Sequence, residues 1–205
     1  HCISSAASDV YKRQIYMRGQ SADYDGWEAQ GNPGWGWKDL LPLYKGMENH
    51  HGGESEFHGA GGEWRVEPAR LSWEILDAFR DAANQAGIPS TTDFNCGDNE
   101  GASYFEVNQR SGFRWSASKA YLRPIKHRTN LTVLTGARTT KLEFEGKRCT
   151  GVRFLKDGEQ HIARAHREVV MAAGAIGTPQ LLQASGVGPA GLLGSLGIPV
   201  VHALE

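Results

Sequence analysis

The sequence has few cysteines and no surplus of charge of either sign. Three cysteines stand among 205 residues, and no pair has the spacing of a zinc-binding CxxC motif or of a disulfide framework. They predict isolated thiols. Lysine and arginine number 22 against 23 aspartate and glutamate residues, which leaves a net charge of −1. Because nucleic-acid-binding domains usually carry a basic surplus, this balance predicts no nucleic-acid partner.

Long hydrophobic runs are also missing. No stretch reaches the ~18 consecutive apolar residues that a membrane-spanning helix needs. The apolar run that follows Glu168 is interrupted by Gly174 and Gly177. The sequence therefore predicts no membrane span, and we expect a protein that is cytoplasmic or peripherally associated with a membrane.

The two ends of the chain lack the features of domain ends. Residues 1–14 show no apolar period and lack the apolar core of a signal peptide. We expect this segment to be a non-native leader similar to translated vector sequence. Residues 197–205 stop within a predicted strand. The chain is therefore expected to be an internal piece of a longer protein.

Glycine, in contrast, is abundant. The chain has 26 glycines among 205 residues, about 13%, which is close to twice the usual share of about 7%. This excess indicates frequent turns or a close approach of the backbone to a ligand. Three histidines, His50, His51 and His58, fall within one glycine-rich stretch. We expect a solvated loop there, with a metal cluster as the less favoured alternative, because no cysteine lies nearby.

Periodicity and turn residues predict the secondary structure. The predicted helices cover residues 38–47, 72–86 and 116–122, and the predicted strands cover residues 63–66, 102–109, 131–135, 139–144, 150–155 and 160–165. Ser72 is the expected N-cap of the second helix, and Pro124 is expected to stop the third. The last four strands predict an antiparallel meander that contains an Asp157-Gly158 hairpin turn.

A strand, a small-residue turn and a helix follow the meander. Residues 168–174 are apolar on both faces, as in a buried parallel strand. The helix is predicted over residues 180–184, with Thr178 as its N-cap and Pro179 in its first turn. Such a unit directs unpaired backbone N–H groups and the positive end of the helix dipole toward the turn. An anionic or polar cofactor group can bind at that place.

The string from Gly174 to Gly188, GAIGTPQLLQASGVG, resembles the second signature of the glucose-methanol-choline (GMC) oxidoreductases. Gly-Ala, Thr-Pro, Leu-Leu and Ser-Gly-Val-Gly stand at the spacings of that signature. Further stretches similar to the family occur in the expected order: YMRG at 16–19, GWGW at 34–37, FHG at 57–59, DFN at 93–95 and RWSA at 114–117. The resemblance covers residues 15–205 and is greatest to the choline-dehydrogenase-like alcohol dehydrogenases.

The resemblance implies the fold class. We expect an α/β (α+β) chain that holds part of an FAD-binding doubly wound domain with a β-meander, and part of an antiparallel-sheet substrate domain. On this map residues 15–48 are a segment of the FAD domain or its lid. Residues 49–124 belong to the substrate domain, and residues 125–205 to the FAD-binding domain.

The resemblance also implies cofactor-binding residues. Thr139 would offer its backbone to the adenine end of FAD, although an ordinary strand role is an equal alternative for it. The other implied residues form or support the close approach to the cofactor: Ala173, Gly174, Ala175, Thr178 and Pro179.

Several residues near these motifs are expected to be structural. Ser185 and Gly186 are expected to end the helix, since serine and glycine are common at helix C-termini. Arg18 and Arg114 are expected to form structural ion pairs, with contacts to ribose or substrate as the alternative. Cys96 stands where sequences of the family usually have glycine, which puts the usual turn there in doubt.

The implied activity is the oxidation of a small-molecule alcohol, in which a base takes the hydroxyl proton and hydride passes to flavin N5. The GxGxxG fingerprint and the catalytic histidines of the family fall outside this sequence. We therefore assign no catalytic residue and expect the chain alone to be inactive. The alcohol and the electron acceptor, oxygen or a quinone, stay open. The alternatives are an FAD-containing hydroxynitrile lyase on the same fold and a non-catalytic β-rich binding module.

Overall fold

The computed structural model describes residues 2–4 and 15–204. They form two compact units. We call residues 15–128 the aromatic unit, because it holds all six tryptophans, and residues 2–4 with 129–204 the meander unit. The predicted boundary at 124/125 lies close to this division, whereas residues 15–48 group with the segment that follows them. The domain assignments themselves stay predictions, and residues 1 and 5–14 of the expected leader lie outside the described residues.

The secondary structure is mixed. The helices are α1 Ser21–Ala29, α2 Trp37–Met47, α3 Glu74–Gln85, α4 Arg123–Ile125, α5 Gly174–Ala184 and α6 Ala190–Ser195, and a π-helical turn Ser118–Leu122 precedes α4. The strands are β1 Cys2–Ser4, β2 Glu48–His50, β3 Trp64–Pro68, β4 Glu106–Val107, β5 Gln109–Arg110, β6 Phe113–Arg114, β7 Arg138–Glu145, β8 Arg148–Lys156, β9 Glu159–Arg164, β10 Val170–Ala172, β11 Val187–Gly188 and β12 His202–Ala203. None of the described helices has both the length and the apolar character that crossing a membrane requires.

The aromatic unit contains a small sheet in the order β2-β3-β4. Strand β2 runs parallel to β3, and β3 runs antiparallel to β4. Helices α1 and α2 meet through aromatic rings: Tyr24 stacks on Trp37 with a centroid distance of 5.5 Å and meets Trp27 edge to face. These contacts bury Tyr24. Aromatic packing, together with a few buried polar groups, therefore holds this unit.

The meander unit is built on the antiparallel sheet β7-β8-β9. Its core contains Leu142, Val152 and Phe154 of the sheet and Leu181 of α5. A hydrogen-bond relay adds to this packing, since the backbone N–H of Leu142 donates to Ser185 Oγ at 2.8 Å. The Ser185 hydroxyl in turn donates to the Leu181 carbonyl at 2.6 Å. Helix α5 is thus fixed to β7 by apolar and polar contacts.

Several predicted elements are confirmed. The meander strands are present as β7, β8 and β9, and helix α2 covers the segment 38–47 that was predicted to be helical. Asp157 and Gly158 both have positive φ, 53° and 84°, as a two-residue type I′ turn requires.

Other predicted elements are wrong at their ends or in kind. Residues 131–135 are not a strand, because no described strand pairs with them and Val133 and Leu134 lie more than half exposed. Helix α3 has Trp73 as its N-cap instead of Ser72. Pro124 does not stop a helix, since it stands in the first turn of α4, where its missing N–H is not needed. The predicted strand 102–109 is reduced to β4 and the start of β5.

Strand β10 was predicted to be parallel and buried. It pairs in parallel with β1, Cys2 facing Val170, so the direction is confirmed. Its burial is wrong for this chain, because Val170 is 50% exposed. The physical reason is that β1 is its one paired neighbour among the described residues.

Candidate functional site

The predicted strand–turn–helix unit is present at the junction of β10 and α5. The helix begins at Gly174 with Ala173 as its N-cap, six residues before the predicted start. Gly174 has φ +88°, which reverses the chain from strand to helix in one residue and favours glycine. Thr178 is therefore not the N-cap, and the prediction of its capping role is wrong.

Thr178 and Pro179 lie inside the helix and shape its first turn. Thr178 Oγ1 accepts a hydrogen bond from the Ala173 backbone N–H at 3.2 Å, which ties the turn to the helix that follows it. Pro179 has no N–H and so leaves the carbonyl of Ala175, four residues earlier, without its helical donor. The turn thus has a polar backbone acceptor in addition to the N–H donors of a helix start.

The backbone donors at this turn belong to Gly174, Ala175 and Ile176. First-turn N–H groups have no acceptor within a helix, and these three residues are exposed. The space where a Cβ would stand at Gly174 is open, with no atom within 4 Å. The positive end of the α5 dipole adds to these donors. The arrangement can bind an anionic or polar group that approaches the backbone closely.

Thr139 lies on another element of the same unit. It is half-buried on β7 and pairs with Phe154 of β8, next to a register shift between Thr139 and Lys141. This is the environment of an ordinary strand residue with an irregular ladder beside it. Its cofactor role stays a prediction, as does that of the residues at the start of α5.

The residues that were expected to end the helix do so. Ser185 is the C-cap of α5, and Gly186 follows with φ +92°. A Cβ at Gly186 would collide with the carbonyl oxygen of Pro199. Glycine is therefore required there by both the backbone conformation and the space.

The aromatic unit contains a second group of polar residues, centred on Arg18 and Glu48. Their side chains are 1% and 0% exposed, and Arg18 Nη2 lies 2.9 Å from Glu48 Oε2. Arg18 Nη1 also donates to the carbonyls of Phe57 at 2.7 Å and Asn95 at 3.2 Å. The expected structural ion pair is confirmed for Arg18. Arg114 lies half-buried on β6, and its role stays a prediction.

His58 joins this pair to the loop of residues 91–101. Its Nδ1 lies 3.0 Å from Glu48 Oε2, and its Nε2 lies 3.0 Å from Asp93 Oδ2. Burial alone would lower the pKa of His58, but the hydrogen bonds with Asp93 and Glu48 outweigh it and raise the pKa to about 9. Burial favours a high pKa for Glu48, yet the donors His58, Gly59 and Arg18 hold its pKa below the ordinary range.

His50 and His51 both reach the carboxylate of Glu106. The distances from their Nε2 atoms to Glu106 Oε1 are 2.7 Å and 3.0 Å. The expectation of a solvated loop is wrong for His50 and His58, whose side chains are 11% and 7% exposed, and holds for His51 at 37%. The reason is that carboxylates from distant parts of the sequence cover these two rings, Glu106 at His50 and Asp93 at His58.

These side chains come close enough to raise the question of a metal. Ligand atoms of His50, His58 and Glu106 lie within 4.8 Å of one another. However, the rings of His50 and His58 are stacked 3.8 Å apart with an interplanar angle of 18°, so their lone pairs lie in two nearly parallel planes and do not share one plane around an ion. Both nitrogens of His58 already contact carboxylates. The geometry favours shared protons over metal coordination.

Cys96 occupies the 91–101 loop without strain. Its Sγ lies 3.5 Å from the Asp93 carbonyl oxygen, and the positive φ of this turn belongs to the next residue, Gly97, at +90°. Cys96 itself is not among the residues with positive φ, and whether the usual turn of the family is kept stays a prediction.

Comparison with known proteins identifies relatives over nearly the whole chain. The model of the family described as GMC oxidoreductase matches residues 12–199. The chain is 41% identical over 194 residues to the mitochondrial choline dehydrogenase of Homo sapiens, which covers 95% of this chain and 33% of that protein. It is 40% identical to the oxygen-dependent choline dehydrogenase of Sinorhizobium medicae (strain WSM419), over 91% of this chain and 34% of that protein.

Solved structures show the same similarity. Pyridoxine 4-oxidase from Mesorbium loti superposes with a TM-score of 0.85 at 32% identity, over 94% of this chain and 38% of that one. An FAD-dependent oxidoreductase from Chaetomium thermophilum gives a TM-score of 0.88 at 28% identity, over 97% of this chain and 37% of that one. The chain thus spans about a third of the length of these relatives.

Proposed function

Because the chain belongs to the glucose-methanol-choline (GMC) oxidoreductase family, we propose that it is part of an FAD-dependent enzyme that oxidises a small-molecule alcohol. The observation that carries this proposal is the family match over residues 12–199. The local structure of the signature supports it, because helix α5 begins at Gly174 with exposed backbone N–H donors. The proposal concerns the whole protein, because this chain spans only about a third of the length of its relatives.

The start of α5 fits part of such a cofactor. FAD has an anionic pyrophosphate and polar ribose hydroxyls, and the N–H groups of Gly174 and Ala175 with the freed carbonyl of Ala175 match both kinds of group. The open space at Gly174 permits the close approach. The Ala173 N–H is already used by Thr178, so Ala173 would contact the cofactor through its carbonyl or methyl group.

The bound flavin would supply the acceptor for the hydride of the alcohol. The residues of this chain would bind and orient it. Thr178 would keep the turn closed through its bond with Ala173, and Pro179 would keep the Ala175 carbonyl available. Thr139 is proposed to contact the adenine end through its backbone. No residue of this chain is assigned as the base, so we expect no turnover from the 205-residue chain by itself.

The relatives favour this function over the two alternatives. Those compared above are named as dehydrogenases, an oxidase and an FAD-dependent oxidoreductase, which disfavours a hydroxynitrile lyase. The family match disfavours a non-catalytic β-rich binding module. Choline is the first alcohol to test because two of the relatives are named for it. A cytoplasmic or peripheral membrane location stays a prediction.

The test uses the whole protein that contains this chain. It is purified and mixed anaerobically with choline and then with a panel of primary alcohols while the visible flavin absorbance is recorded. We expect loss of that absorbance with at least one alcohol, followed by recovery with oxygen or a quinone, which identifies the acceptor. Bound flavin that stays oxidised with every alcohol, together with cleavage of a cyanohydrin, would establish the lyase instead.

A further inference from the structure

The contacts of His58 require a particular protonation state. Both ring nitrogens lie 3.0 Å from carboxylate oxygens, Nδ1 from Glu48 and Nε2 from Asp93. A carboxylate can only accept in such a contact, and a neutral imidazole has a single N–H to donate. Two simultaneous hydrogen bonds therefore require the imidazolium. The extra proton is part of the connection between β2 and the loop of residues 91–101.

The two carboxylates are not equally dependent on that proton. Glu48 is fully buried and also receives hydrogen bonds from Arg18 Nη2 and from the Gly59 N–H, each at 2.9 Å. Asp93 is 28% exposed, and His58 is the side-chain donor to its Oδ2. When His58 becomes neutral, its one remaining N–H stabilises the fold more at Nδ1, where it donates to the buried Glu48, than at Nε2, where it donates to Asp93. The reason is that water can replace the lost hydrogen bond only at the partly exposed Asp93. The contact with Asp93 is therefore the one that breaks.

Charged and titratable groups lie near this ring on the neighbouring segments. They are Arg18 beside β2, Glu48 on β2 itself, His50 at the end of β2, Asp93 on the 91–101 loop and Glu106 on β4. Arg18 binds the loop independently of pH, since its backbone N–H donates to Asn95 Oδ1 at 2.8 Å. Loss of the His58 proton should thus loosen the loop around Asp93 without detaching it at Asn95.

We propose that His58 is a pH-sensitive latch, which as an imidazolium fastens the 91–101 loop to β2 through Asp93 and releases Asp93 when one proton leaves. The pKa of about 9 places the release on the alkaline side of neutrality. The proposal does not involve the residues at the start of α5, because every group in it lies within the aromatic unit. It assigns a pH-dependent attachment to the loop that holds Cys96.

The protonation state can be measured directly on the unmodified 205-residue chain. With ¹⁵N-labelled histidine, long-range ¹H–¹⁵N correlation spectra distinguish an imidazolium from either neutral tautomer, and the His58→Gln variant assigns the signal. We expect both nitrogens of His58 to be protonated at about pH 7.5, with Nε2 losing its proton at alkaline pH. A neutral His58 ring at about pH 7.5 would overturn the proposal.

The release of the loop can be followed through Cys96. Its alkylation by iodoacetamide is quantified by mass spectrometry and divided by the rate for a synthetic peptide of residues 91–101 at the same pH, which cancels the rise in thiolate. We expect this ratio to rise at least about tenfold between about pH 7.5 and about pH 10.5, as expected for the loss of one charge-assisted hydrogen bond. A ratio that stays constant would contradict the latch.

Three variants make the experiment specific. His58→Gln and Asp93→Asn remove the ion pair from either side, so the normalised rate should be high and independent of pH in both. His127→Gln changes an exposed histidine of the same unit and should behave as the wild type. Tryptophan fluorescence reports whether each variant is folded. If His58→Gln does not fold, Asp93→Asn alone decides, and a wild-type pH response in that variant would overturn the proposal.

Discussion

At the residue scale, buried charges decide the structure of the aromatic unit. Moving the charges of Arg18 and Glu48 out of water costs more free energy than their mutual attraction recovers, unless further hydrogen bonds satisfy their remaining polar atoms. The carbonyls of Phe57 and Asn95 and the N–H of Gly59 supply those bonds. The sequence predicted a structural role for Arg18. It could not name Glu48, His58 and Asp93 as a group, because they are distant in sequence and meet through tertiary contacts.

Removing the charge of Glu48 should be strongly destabilising. In Glu48→Gln, Arg18 keeps a buried charge without a counter-ion, and we expect the free energy of unfolding of the aromatic unit to fall by about 3 kcal/mol. Urea unfolding followed by tryptophan fluorescence measures this unit alone, since all six tryptophans lie in it.

The matched control is Glu28→Gln. Glu28 pairs with Lys38 at 3.4 Å, but the lysine side chain is 74% exposed, so we expect a loss below about 0.5 kcal/mol. Equal losses in the two variants would show that the buried pair contributes no more than a surface pair.

At the scale of elements, local signals in the sequence predicted most of the meander unit. Strands β7 to β9 were expected because alternating residues are separated by Gly and Asp-Gly turns, and the structure has the positive φ at Asp157 that such a turn needs. The start of α5 was misplaced, because Thr178 and Pro179 are typical of a helix start. The true start depends on Gly174, whose positive φ cannot be read from composition.

Helix α1 was not predicted. Its start is stabilised by a reciprocal pair, in which the Gln20 backbone N–H donates to Asp23 Oδ2 at 2.9 Å. Glutamine is not among the preferred N-cap residues. The remaining signal, an acidic residue three positions into the helix, was available in the sequence but was outweighed by the surrounding glycines and tryptophans.

The end of α5 is predicted to tolerate no side chain larger than hydrogen at Gly186. In Gly186→Ala, the positive φ and the collision with the Pro199 carbonyl act together, and we expect a loss of at least about 2 kcal/mol in the meander unit. Hydrogen–deuterium exchange of the backbone amides of β7 to β9 measures it.

Gly191→Ala is the control for this substitution. Gly191 lies in α6 with ordinary φ, and the space that an alanine Cβ would occupy there has no atom within 4 Å. Alanine should therefore be neutral or stabilising by up to about 1 kcal/mol. If Gly186→Ala protected the amides as well as Gly191→Ala does, the steric account of the helix end would be wrong.

At the scale of the whole molecule, the aromatic unit should be most stable at mildly acidic pH. The pKa of Glu48 is held below its ordinary 4.5 and that of Asp93 below 3.8, so their stabilisation is present above those values and is lost as pH falls through the lowered pKa values. The pKa of His58 is raised from 6.5 to about 9. Its stabilisation is complete below 6.5 and is lost as pH rises toward 9.

Urea unfolding at a series of pH values tests this dependence. We expect a maximum between about pH 4.5 and about pH 6.5, and a decline on both sides. In His58→Gln the alkaline decline between 6.5 and 9 should disappear, while the acid decline is retained in weaker form because Arg18 still contacts Glu48. An alkaline decline of equal size in the variant would exclude His58 as its cause.

The central claim is that the whole protein holds FAD at the start of α5, and a pair of substitutions at Ala175 tests it most directly. Ala175→Asp adds a negative charge to the exposed first turn, which stabilises a helix start by about 0.5 kcal/mol but repels or displaces an anionic cofactor group. Ala175→Asn adds a side chain of the same shape without the charge.

The measurement is the ratio of flavin to purified whole protein in the wild type and both variants. The account predicts bound FAD in the wild type, with a lower ratio in Ala175→Asp than in Ala175→Asn. Equal, full flavin content in all three proteins, or no flavin in the wild type, would contradict it.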